Sequence, residues 1–288
     1  SQILVDVKHK VVAALEENLG TKIELKNIDV AGFNQLVISG VQIKDNKNKD
    51  LLKVDQVIIK YNLLDLLLNK FKSITSINSI DLIQPQVRVA KGDDKEWNYQ
   101  FLLDQFNSKN EEGKTASDSK LSIYIKEGKV NYITNQLQDK LEDITGKIKI
   151  GSKINLDLTT KIESIAEEEF RLRGTFENRD YQGLLEFDNL QLAKVSDKLN
   201  LAILEPVTIK GSASGKVKFK GDLAGDPDYY GSVSLTGGSF SREKVKFKGM
   251  NGQFTFNNYG FKIKELEAVY KKIPINLRGQ VFSWTNPQ

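Results

Sequence analysis

Few residues in this chain could do chemistry. It has one histidine, His9, and no cysteine. Any Ser/His or Cys/His nucleophile, and most zinc sites, would have to use His9 or dispense with imidazole. His9 shares the polar side of an amphipathic stretch with Asp6, Lys8, Lys10, Glu16 and Glu17, which makes it a surface residue. The absence of cysteine removes disulfides and thiolate metal sites together. Glu167, Glu168 and Glu169 form the densest acidic run and read as a solvated hairpin turn. A carboxylate pair for metal binding or glycoside hydrolysis stays open, because such a pair is defined by its separation in space. Trp97 reads as a packing anchor rather than a ligand platform. The expectation is a protein that is not an enzyme, with no catalytic residue, no metal and no cofactor.

The elements that would carry these residues are mostly strands. Leu4, Val7, Val11, Leu15 and Leu19 recur at helical spacing, and Gly20 is placed to end that helix. A second short helix is predicted over 63–71, with Leu63, Leu64, Leu67, Leu68 and Phe71 on one stripe. Elsewhere the period is two. Leu121, Ile123 and Ile125 alternate with polar residues, as do Val217 with Phe219 and Val245 with Phe247 among lysines. Turn signals separate the runs at Gly221, Gly225-Asp226-Pro227, Gly237-Gly238, Gly249, Asn251-Gly252 and Asn257 to Gly260. A dozen or more strands joined by hairpin-length turns exclude a parallel α/β sheet, which needs helical crossovers. Residues 107–120 are polar and charged apart from Ala116. They are predicted to form a mobile linker or loop between an N-terminal module, 1–106, and a repeating β part, 121–288.

Composition bounds the partners. The 42 basic and 38 acidic residues leave a formal net charge of +4, spread too evenly for a nucleic-acid footprint. No run approaches the roughly 20 apolar residues of a membrane-spanning helix. Strands with one apolar face can stack as a sandwich, close as a barrel or curl along their length. Alternation alone leaves sandwich and curled groove equally open.

Residues 36–103 bear on that choice. They run from a strand ending at Gly40 through Leu52-Lys53-Val54-Asp55 and the Leu-rich segment 63–68. An Ile-rich strand then leads from Ile80 to a Pro-centred turn at Pro85, and Trp97-Asn98 precedes Leu102-Leu103. This order resembles the opening module of the AsmA/TamB superfamily. Residues 183–281, including IKGSASGKVKFKGDLAGDPDYYGSVSLTGGSF, resemble its repeating body. The resemblance implies a mainly β fold, an elongated, curled antiparallel groove that is dry inside and wet outside. It also implies an anchor in the inner membrane upstream of Ser1, further modules beyond Gln288, and a place in the periplasm of a diderm bacterium.

On that reading the groove shields phospholipid acyl chains in transit between the two membranes. The predicted lining is Ile148, Ile150, Ile154, Leu156, Leu158, Leu172, Phe176, Leu185, Phe187, Val217, Phe219, Val233, Leu235, Val245, Phe247, Phe254, Phe256, Ile263, Ile273, Ile275 and Leu277. Lys216, Lys218, Lys220, Lys244, Lys246 and Lys248 would form a solvated outer face, or meet anionic head groups. Phospholipids and the inner membrane are the expected partners, with an outer-membrane β-barrel protein as a further one and no nucleic acid. The alternative is an assembly factor for outer-membrane β-barrels that works through protein–protein contacts and a sheet edge. An enzyme on a β-solenoid is the third reading.

Overall fold

The computed structural model describes residues 13, 16, 20–32, 34–61, 77–92, 96–102, 121–135, 138–162, 164–166, 168–177, 179–198, 207–222 and 225–282. The helix expected over 63–71, the linker at 107–120, His9 and Glu167 lie outside them. Of the first expected helix only Ala13 and Glu16 are described, and both are helical. Gly20 donates its N–H to the Glu16 carbonyl at 2.7 Å with φ at 63°. That is the left-handed turn a helix-ending glycine makes cheaply.

The chain divides into two compact units, 1–156 and 157–288. The first holds β1 (Ile23–Glu24), β2 (Asn27–Ala31), β3 (Gln35–Lys44), β4 (Asp50–Tyr61), β5 (Ile77–Ile83), β6 (Gln86–Ala90), β7 (Leu121–Ile133), β8 (Gln138–Ile150) and the start of β9 (Ile154–Lys161). Its hydrogen-bonded order is β1-β3-β4-β5-β7-β8-β9, with β2 on β3 and β6 bridging β4 and β7. Ile23, Leu25, Ile28 and Ile38 form its buried cluster.

Two expectations change here. The sheet is mixed, because β7 runs parallel to both β5 and β6. The chain between Ala90 and Leu121 is long enough for the crossover that a parallel pair demands. Pro85 interrupts the strand without reversing it: β5 and β6 both lie antiparallel to β4. The Gln84 N–H and the Pro85 carbonyl still bond β7, at Lys126 and Lys129. Proline is tolerated because the ladder skips its missing donor.

The second unit holds the end of β9, then β10 (Phe170–Glu177), β11 (Asp180–Gln191), a helix α1 (Leu192–Lys198), β12 (Val207–Asp222), β13 (Asp228–Arg242), β14 (Val245–Asn257), β15 (Gly260–Tyr270) and β16 (Ile273–Phe282). Each strand bonds the next in sequence, and β10 to β16 are antiparallel throughout. Several expected turns are interior positions of long strands. Gly237-Gly238 and Asn251-Gly252 lie inside β13 and β14, and the actual reversal is Glu243-Lys244. The glycines sit where the register shifts, so they bend strands rather than end them. At Gly211 the need is geometric: φ is 115°, and an added Cβ would fall 2.7 Å from the Gly238 Cα.

Candidate functional site

The registers of the second unit sort its side chains into two unlike faces. Residues directly opposite one another in a ladder share a face, so a row can be followed from strand to strand. One row runs Leu172, Leu185, Val217, Gly231, Phe256, Phe261, Val281 from β10 to β16. A second runs Phe170, Phe187, Gly215, Val233, Phe254, Ile263, Gly279. A third runs Leu190, Ala213, Leu235, Gly252, Leu266, Leu277. A fourth joins Ile209, Phe240, Phe247, Tyr270 and Ile273. No polar side chain interrupts these rows except the hydroxyl of Tyr270. One residue along, the strands present Arg171, Glu186, Lys216, Ser232, Thr255, Lys262 and Gln280 on the other face.

The predicted lining residues of the second unit therefore share one side of its sheet. Phe176 pairs with Tyr181, Phe219 with Tyr229, and Ile275 with Ala268, all on the apolar side. Val245 stands apart at the tip of the β13–β14 hairpin, opposite Arg242. On β9, Ile154, Leu156 and Leu158 alternate with Asn155 and Asp157. The Asp157 carboxylate takes two hydrogen bonds from Arg171, at 3.0 and 2.8 Å, which directs it to the polar side. In the first unit Leu36, Ile59, Ile80, Ile123 and Ile148 make a similar row, and Leu121 pairs with Ile150.

The sequence reading missed Phe170, Tyr181, Leu190, Tyr229, Phe240, Phe261, Leu266 and Tyr270 on this face. It also missed the device that shapes it. Aromatic rings lie across glycines of the adjacent strand: Phe219 over Gly183, Phe256 over Gly231 and Tyr181 over Gly221. A Cβ at those glycines would come within 2.3, 2.1 and 2.7 Å of the ring or its hydroxyl. Each ring is thereby laid along the sheet, which keeps the apolar surface low. The signal was present as aromatic-X-Gly spacing, Tyr181 to Gly183, Phe219 to Gly221 and Tyr229 to Gly231, but it becomes readable only with the register known.

Among the described residues little covers this face. Ile165, Ala166 and Leu192, the last at the start of α1, pack with Phe170, Phe187 and Ala213 at one end. Of the predicted lining residues Phe187 alone is buried; Val245, Ile273 and Leu277 are exposed and the others are half-buried. A sandwich core would bury them.

The polar face is organised by charge. Glu186 accepts a hydrogen bond from Arg173 and has Lys216 at 3.6 Å. The Arg173 hydrogen bond holds the Glu186 carboxyl below its ordinary pKa, and the Arg171 fork does the same for Asp157. A shallow depression of about 440 Å³ on this side, lined by Ser214, Lys216, Ser232, Ser234 and Gln253 among others, offers hydroxyls and charges. In the first unit Trp97 stacks on Tyr99 with centroids 5.8 Å apart, and Asn98 bonds the Arg88 carbonyl and the Ala90 N–H.

Among the described residues no three His, Asp or Glu side chains gather as a metal site, and no helix is long and apolar enough to cross a membrane. No protein-family model matches the chain, and no curated protein matches it either.

Proposed function

We propose that the apolar face shields phospholipid acyl chains, and that the chain is a periplasmic part of an AsmA/TamB-like protein carrying lipid between the inner and outer membranes. The observation that supports this is the set of rows from Leu172 to Val281 and from Phe170 to Gly279, apolar or glycine at every position yet mostly half-exposed.

The energetics favour a long chain as cargo. Each methylene taken from water gains about 0.8 kcal/mol, so two C16 chains left in water cost on the order of 20 kcal/mol. A surface that is apolar along several parallel rows can offset much of this without one deep well. Rings laid over glycines leave room above the sheet for a linear chain. Charged head groups would stay at the margin, in water.

The test is native mass spectrometry of the purified protein, with lipid extraction, on wild type and on Phe219→Asp, Phe256→Asp and the opposite-face control Ser232→Asp. Co-purifying phospholipid that is lost in the two folded Phe variants and kept in the control supports the reading. Lipid-free wild type, or equal lipid in all four proteins, overturns it.

The edge strand supports the assembly-factor reading as an alternative. Among the described residues β16 pairs on one side only, with β15, which leaves backbone groups available for strand addition. Pro274, on that strand, opposes Val269 next to the closing pair Tyr270–Ile273, so one outward donor is lacking.

A further inference from the structure

We infer that one end of the second unit, the paired hairpin tips β13–β14 and β15–β16, is a docking surface for an anionic phospholipid bilayer. Arg242 pairs with Val245 and Tyr270 pairs with Ile273, so each tip is a two-residue turn. Phe247 pairs with Tyr270, which sets the two tips side by side. Arg242, Lys244, Lys246, Lys248, Lys271 and Lys272 gather there, all exposed, against two carboxylates, Glu243 and Glu267, the latter as far from its turn as Lys248. None of these six has a carboxylate partner among the described residues, and Lys271 instead lies 5.2 Å from the centre of the Tyr270 ring.

At the other end of the unit the strands β10 to β13 and the turn before β13 carry Glu177, Asp180, Asp222, Asp226 and Asp228, beside the cations Arg179, Lys220 and Lys262. Carboxylates outnumber cations at that end, whereas cations predominate at the two tips, which suits the tips to a negative surface.

The aliphatic residues at the tips separate a bilayer from a generic polyanion. Val245, Val269 and Ile273 are 40, 41 and 61% exposed among those lysines. Aliphatic side chains beside basic ones suit the interface of an anionic membrane, where the chains enter the acyl boundary and the ammonium groups meet phosphates. The turn is also strained. Lys271 and Lys272 hold φ of 47° and 72°, a turn that ordinarily takes Asn-Gly. The neighbouring tip is strained at a single residue, Glu243 with φ of 51°, whereas here the strain falls on two adjacent cations.

This inference does not depend on acyl-chain shielding. A protein could dock without carrying lipid, and the two are read by different measurements.

The test is vesicle co-sedimentation of the whole chain, with neutral phosphatidylcholine vesicles and with vesicles containing a third phosphatidylglycerol, at low and high salt. Wild type should bind the anionic vesicles, bind neutral ones at least about tenfold less, and release as salt rises. Lys244→Glu/Lys246→Glu/Lys271→Glu/Lys272→Glu should lose at least about tenfold in binding, whereas Lys218→Glu/Lys220→Glu, nearer the acidic end, should bind as wild type does. Lys271→Asn/Lys272→Gly relaxes the turn, so it should melt higher yet bind less, a pairing that misfolding cannot produce. Equal binding to both vesicle types, no loss in the fourfold variant, or capture by nucleic acid without vesicle binding each overturns the inference.

Discussion

The ring of Phe256 lies across Gly231 on the neighbouring strand so closely that a methyl on the glycine would come within 2.1 Å of Cζ. The glycine is there for the ring. Gly231→Ala should therefore force the ring off the sheet and cost about 1–3 kcal/mol, as overpacking does. Adding Phe256→Leu should recover part of that loss, giving an interaction energy of about 1 kcal/mol in a double-mutant cycle of denaturant melts. Additive costs would mean that the ring and the glycine do not act as a unit.

Acidification should weaken the second unit from its polar face. The carboxyls of Glu186 and Asp157 are held below their ordinary pKa by Arg173 and Arg171. A depressed folded-state pKa contributes stability that is present above the unfolded value and is lost as pH falls through the folded one. The loss should appear below the ordinary carboxylate range. Both groups are solvent-exposed, so the effect should be small and shrink with added salt. Thermal melts of Glu186→Gln between neutral and acid pH should show a flatter dependence than wild type. A slope unchanged by the substitution would assign the acid sensitivity to other carboxylates.

How far the sequence disclosed this protein depends on the period of the pattern. Strand alternation was legible where lysines mark the wet side, as at Lys216 to Lys220, and there the face assignment of Val217 and Phe219 needed no structure. It was ambiguous where glycine replaces the apolar residue. Gly237, Gly249 and Gly252 read as turns because turn and bulge use the same residue, and only the cross-strand neighbour tells them apart. The parallel return of β7 was hidden too, since pairing direction leaves no trace in a strand's own alternation. Helix α1 escaped because its seven residues span only two turns, with Leu192 and Val195 as the apolar repeat.

Asn98 works as one rung of a strand. Its side-chain N–H donates to the Arg88 carbonyl at 2.7 Å, and its side-chain oxygen accepts from the Ala90 N–H at 2.9 Å. Asn98→Ala would leave both half-buried β6 groups without that partner and should cost about 1–3 kcal/mol. Asn98→Asp keeps the acceptor but turns an oxygen toward the Arg88 carbonyl, so it should not restore stability. Amide exchange at Ala90 checks the mechanism. It should accelerate in Asn98→Ala, which loses the acceptor, and protection there as in wild type would show that the rung is dispensable.

Asp81 sets up a test of which partner of a buried charge matters more. Its carboxyl is buried on the side opposite Ile80 and Leu82, with Lys60 at 3.1 Å, Lys126 at 3.7 Å and Oδ1 without a hydrogen bond. Both lysines are well exposed, at 39 and 57%, so either can turn to water if the carboxylate is removed. The carboxylate has no such exit if Lys60 is removed, because a buried charge without its donor keeps its full desolvation cost. Lys60→Met should therefore destabilise the first unit by about 2 kcal/mol, whereas Asp81→Leu should cost less and lie near neutral. The double variant should match Asp81→Leu rather than the sum. Equal losses for the two single variants in urea melts would mean that Lys60 and Asp81 stabilise the fold as a pair, and that the missing partner at Oδ1 carries no cost.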